Sequence, residues 1–149
     1  GGQLMSRALG GRVGASPAPE IGWQPVRVVD TTAACAWFAA PGEMHVFHWH
    51  HEAFSLPAGA EALATSSACA HQAFAIGPHL ALQFHVEIDA AKLDAWSRAQ
   101  GPRDFAAHGA CATVQSGAQM RDGARLHLDA HQRLADRIYT RWIEAAAAR

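Results

Sequence analysis

Apolar and polar positions along the chain change their period more than once, and the changes mark out its elements. At the start, Leu4, Met5, Ala8 and Leu9 fall on one helical face, so Gln3 to Leu9 predicts a helix stopped by Gly10 and Gly11. A Pro-rich loop is expected over Ser16 to Pro19, followed by the extended run "IGWQPVRVV". Pro25 places that run at an edge or a bulge, because proline has no N–H to give a sheet ladder. Asp30 to Ala40 predicts a short helix, capped by Asp30 or Thr31 and ended by Pro41-Gly42. Short strands follow at "MHVFHW", "ALAT", "QAFAI" and "LALQFH", the last two joined into a hairpin by "GPH". From Ala90 the period is helical again, through Leu93 and Trp96 and later Leu134, Ile138 and Trp142. Pro102 to Gly123 has no decisive period.

Strands in the middle with helices at both ends predict a layered α/β domain. An apolar run such as Leu80 to Phe84 is typical of a strand buried on both faces, hence central in its sheet. Ligands of open α/β sheets sit at the carboxyl ends of such strands, where this chain has His85 and Glu87. Residues two apart on a strand point to one side with α-carbons about 6.6 Å apart, so a bend brings the carboxylate to the imidazole. A carboxylate on Nδ1–H fixes the tautomer, frees Nε2 as a base and stabilises the imidazolium that forms. The plainer reading of the pair is a satisfied histidine beside a capping or solvated acid.

Composition narrows the functional classes. With 149 residues, 50% hydrophobic and 17% charged, the chain predicts a single domain, residues 90–149 being its helical C-terminal part. A net charge of -1 offers no basic field for nucleic acid or an anionic membrane. No apolar run is long enough to span a bilayer, and "GGQLMSRALGG" lacks the pattern of a signal peptide, so a cytoplasmic location is expected. The three cysteines, Cys35, Cys69 and Cys111, have no C-x-x-C spacing and support neither a disulfide framework nor a zinc ribbon.

"FHWHHEAFSLPAGA", then "QAF", then "LQFHVE" resembles the C-terminal half of class I glutamine amidotransferases, in particular stand-alone ones similar to the amidotransferase domain of GMP synthase. "GGQLMSRALGG" looks like the segment just after the nucleophile in that family's G-x-C-x-G-x-Q elbow, and "EIGW" like the next strand. The resemblance runs in order from Gly1 to about Asp89. It implies a three-layer, flavodoxin-like α/β fold with a mixed central sheet, whose first strands are missing here. It also implies hydrolysis of the glutamine side-chain amide to glutamate and ammonia by a Cys-His-Glu triad, without a cofactor. His85 and Glu87 would be two members, Gly1 would belong to the elbow and oxyanion site, Gln3 would contact the amino-acid end of glutamine, and the segment Trp49, His50, His51 and Glu52 would present backbone groups to its α-amino and α-carboxylate groups. His51 stands where the family usually has glycine, and Val86 where it has proline.

By the same resemblance the nucleophilic cysteine would lie two positions before Gly1, so the domain is expected to be incomplete and this chain alone inactive. None of the three cysteines is flanked by glycines at elbow spacing, and each reads as a small, inert residue. The ammonia acceptor, or a synthetase partner, stays unidentified. An incomplete sheet would expose an edge or face that self-association into a homo-oligomer could cover. Two other readings remain open. One is an amidotransferase-like binding module without thiol chemistry. The other is a cupin-like metal protein using His45, His48, His50, His51 and Glu52, although Glu52 follows His50 too closely for a cupin motif and the C-terminal helices fit one poorly.

Overall fold

The computed structural model describes residues 1–147. Helix α1 (Gly2–Ala8) leads into the long strand β1 (Val13–Val28), helix α2 (Thr32–Phe38) and strand β2 (Gly42–Phe54). Three short strands come next, β3 (Glu61–Thr65), β4 (Ala73–Ile76) and β5 (His79–Leu82), and then helices α3 (Ala90–Ala99), α4 (Gly101–His108) and α5 (Gly117–Ala147). The strands form one sheet in the order β2-β1-β3-β4-β5. Every pairing of these strands is antiparallel, and one isolated parallel bridge joins Ile21 to Val114. The described strands thus do not themselves form the mixed sheet expected from the resemblance.

Local chemistry accounts for most of the boundaries. Thr31 caps α2 by accepting from the Ala34 N–H, and Asp89 caps α3 by accepting from the Lys92 N–H at 2.7 Å. Gly10 ends α1 at a φ of 87°, a conformation that side-chain-bearing residues avoid. The segment from Ser16 to Pro19, expected as a loop, instead belongs to β1 as a register shift between Ala15 and Glu20. Prolines cannot donate to the ladder, so Pro17 and Pro19 leave the chain extended and unpaired there. Pro25 lies on β1 where only β2 runs alongside, since β3 joins at Arg27 and Val28. The undecided stretch after Pro102 holds most of α4, a short turn and the start of α5.

One expectation about the sheet fails. "LALQFH" is not a central strand: β5 stops at Leu82 and lies at the end of the sheet. Past Leu82 the backbone leaves β4, and the His85 N–H donates to the Phe47 carbonyl at 2.8 Å, on β2. The alternation nevertheless persists through the bend. Phe84, Val86 and Ile88 are buried, while His85 and Glu87 face outward. Phe84 and Val86 join a core with Val26, Trp37, Val46 and Ile138; Ile88 joins another with Trp23, Phe47, Leu93 and Met120. Apolar burial of this kind contributes about 1.5–3 kcal/mol per side chain. It pins the bend from beneath.

Candidate active site

The bend that ends the hairpin brings His85 and Glu87 together. His85 Nδ1–H donates to Glu87 Oε1 at 2.7 Å, which leaves Nε2 free. That hydrogen bond, helped by nearby positive charge, outweighs the burial of Glu87 and lowers its carboxyl to about 2, so it is an anion at neutral pH. The pair is held on several sides. The Lys92 ammonium donates to the Glu87 carbonyl, the Trp96 indole packs edge-on to the imidazole, and His131 Nε2–H donates to the His85 carbonyl at 2.9 Å. His131 and Lys92 were not singled out by the sequence. Their helical positions alone do not say which loop they touch.

His85 and Glu87 open on a cleft of about 680 Å³ that Gly1, Gln3, Trp49, His50 and Gln83 also line. Gly1 is the N-cap of α1, so the first backbone N–H groups of that helix lie at the same cleft. Gln3 donates through Nε2 to the Glu52 carbonyl at 3.1 Å, and Gln83 donates to the same oxygen at 2.7 Å. The Trp49 indole N–H is turned to Asp104 at 2.9 Å. His51 and Glu52 do not line the cleft with their side chains. Along β2 the side chains alternate, so with His48 and His50 inward, His51 must face out. There it meets Asp104 at 3.8 Å and packs on the ring of His108, while Glu52 contributes its carbonyl rather than its carboxylate.

Behind the cleft wall lies a buried polar group that the sequence did not reveal. Glu20, His48 and His50 are all nearly inaccessible, and their ligand-type atoms lie within 4.8 Å of one another. This trio, not the five residues grouped from the sequence, has the composition of a metal site. His45 is instead exposed and stacked on His127 with ring centroids 4.5 Å apart. The trio's facing atoms are already joined by hydrogen bonds. His50 Nδ1 lies 3.1 Å from the Glu52 carbonyl, and its Nε2 lies 3.2 Å from Glu20 Oε2 and 3.3 Å from His48 Nδ1. The Gln72 amide N–H donates to Glu20 Oε2 and to Ser66 Oγ. Burial raises the Glu20 carboxyl, but the bond from His50, the neighbouring imidazoles and Ser66 outweigh it and hold the group below its ordinary value. Burial pushes His48 down to about 3, so it is neutral. Among the described residues no cysteine lines the cleft; Cys69 is buried, and burial pushes its thiol up.

A family model described as glutamine amidotransferase class-I matches residues 1–95. The chain belongs to the class-I glutamine amidotransferase family. Among solved structures, a glutamine amidotransferase from Methylobacillus flagellatus is 31% identical with a TM-score of 0.91, over 97% of this chain and 60% of that one. A glutamine amidotransferase from Thermotoga maritima is 26% identical with a TM-score of 0.83, again over 97% of this chain and 60% of its own. A candidate GMP synthase subunit from Thermoplasma acidophilum is 28% identical with a TM-score of 0.54, over 60% of this chain and 45% of that one. No protein of curated function matches. The chain therefore has the α/β class-I amidotransferase fold and spans about 60% of the first two structures. Within this amidotransferase domain the His85–Glu87 pair, the start of α1 and the Gln3 amide share one cleft.

Proposed function

We propose that this chain carries the base and orienting acid of a glutaminase site, which releases ammonia from the glutamine side chain. The observation that carries the reading is the 2.7 Å His85–Glu87 hydrogen bond, set on a cleft shared with the N-terminus of α1. Glu87 holds the ring with Nδ1 protonated, so Nε2 is the basic nitrogen. The nucleophile is a cysteine preceding Gly1 in the intact protein, and His85 Nε2 takes its proton. The thiolate adds to the amide carbon, and backbone N–H groups at the helix start stabilise the oxyanion. As the tetrahedral intermediate collapses, the C–N bond breaks and His85 protonates the departing nitrogen. A water deprotonated by His85 then cleaves the thioester, yielding glutamate and restoring the thiol.

The ammonia passes to an acceptor site on a synthetase partner, either another chain or a part of the protein outside this one. Among the described residues no helix is long and apolar enough to cross a membrane, which agrees with action in the cytoplasm. The test is glutamine-dependent ammonia release by the protein extended upstream of Gly1. Turnover lost in His85→Ala supports the reading. A residue other than cysteine at the elbow position, or turnover unaffected by His85→Ala, refutes it and leaves a binding module.

A further inference from the structure

The glutaminase reading uses His85 and Glu87 but gives no role to Glu20, whose carboxylate is only 1% exposed in the core. Burying a charge is costly unless it is paired and hydrogen-bonded, so its partners show what the burial maintains. Those partners form a chain that leads to the cleft. Gln72, just before β4, donates to Glu20 on β1; Glu20 faces Nε2 of His50 on β2; and Nδ1 of His50 faces the Glu52 carbonyl. A carbonyl can only accept, so Nδ1–H of His50 donates to Glu52 while Nε2 faces the carboxylate. The ring is held between the buried acid and the peptide oxygen.

That oxygen is a point of convergence. Gln3 from α1, Gln83 from the bend and His50 from β2 all direct N–H groups at it, at 3.1, 2.7 and 3.1 Å. A carbonyl has two lone pairs, so three donors crowd it from three parts of the fold, and all three side chains line the cleft. We infer that Glu20 and Gln72 are positioning residues: through His50 they fix the Glu52 carbonyl as the anchor for Gln3 and Gln83, and so shape the cleft wall that receives glutamine's non-reacting end. The inference rests on the glutaminase reading for the identity of the substrate. His85 and Glu87 are bonded to other partners, so the clamp acts on substrate binding rather than on the proton-transferring pair.

The variant to test is Glu20→Gln, nearly isosteric, in the extended protein. The expected result is a rise of about tenfold in KM for glutamine with kcat within about twofold, a difference of about 1.4 kcal/mol. Folded Glu20→Gln protein with unchanged KM, or with a loss confined to kcat, overturns the inference while leaving glutaminase chemistry standing. If the wild-type protein releases no ammonia, the glutaminase reading fails instead. The clamp is then judged by ¹⁵N-resolved imidazole spectra of the 149-residue chain. These spectra also decide the matter if Glu20→Gln does not fold. A His50 ring whose Nδ1 carries its proton and whose Nε2 is hydrogen-bonded supports the clamp, and a ring with a bare Nδ1 refutes it.

Discussion

Acidification should weaken this fold well before its carboxylates titrate, because of one neutral histidine in the core. His48 has no exposed surface, and burial lowers it from 6.5 to about 3. Between those values the unfolded chain binds a proton at this position that the folded chain does not. Stability therefore rises with pH across the window, is unaffected by His48 above 6.5, and falls as pH drops toward 3. One pH unit corresponds to about 1.4 kcal/mol, so moving from pH 6.5 to 4.5 should remove about 3 kcal/mol. That is a large share of the roughly 5–15 kcal/mol typical of a domain. His127 and His131 are lowered by burial too and act with the same sign, so the wild-type slope alone does not isolate His48. The assay is urea unfolding at half-unit steps from pH 7 to 4.5, for wild type and His48→Gln. Staying above pH 4.5 keeps Glu20 and Glu87, both lowered from 4.5, out of the comparison. The stability difference between the two proteins should shrink by about 3 kcal/mol across the series. A constant difference would show that His48 protonates as readily in the folded state as in the unfolded one, and the burial argument would be wrong.

Three further outcomes are expected. In the extended protein His85→Ala should reduce glutamine hydrolysis about a hundredfold more than Glu87→Ala, since one moves the proton and the other orients it; steady-state ammonia release measures both, and equal losses would make the pair structural. The 149-residue chain by itself should release no ammonia from glutamine, and turnover abolished by Cys69→Ala would contradict that. Gly123→Ala should destabilise α5 although alanine is the better helix former by about 1 kcal/mol. Its Cβ would sit 2.5 Å from Cδ1 of Trp23, whose indole is fixed by donating to the Met120 carbonyl, and such overpacking costs about 1–3 kcal/mol. Thermal unfolding gives the sign, and a higher midpoint would mean that the indole moves aside.

What could be read from the sequence depended on how far apart the deciding partners lie. The start of α2 was legible because a cap is local: Thr31 bonds an N–H three residues ahead, and Asp89 does the same for α3. The His85–Glu87 pair was legible for the same reason, since the carboxylate and ring are two residues apart. The inward turn of Phe84, Val86 and Ile88 could also be read from alternation. Alternation reports which side chains are buried, however, and not whether a neighbouring strand supplies ladder bonds. The same pattern fits a strand and a bend pinned from below, so the end of β5 at Leu82 was missed.

Glu20 shows the limit more sharply. Nothing beside Glu20 in the sequence marks it for burial, and what holds it in the core is a ring from β2 and an amide 52 residues away. No local propensity encodes that pairing. His51 and Glu52 are a different case, since the resemblance asks only backbone groups of them. His48 and His50 share one face of β2, so the period of two puts the His51 side chain on the other, with Phe47 and Trp49, and it is the Glu52 carbonyl that meets Gln3 and Gln83. The family likeness points to a stretch of chain, and strand geometry decides which of its atoms can serve. A residue matched by motif should therefore be tested against the parity of its strand before its side chain is given a role.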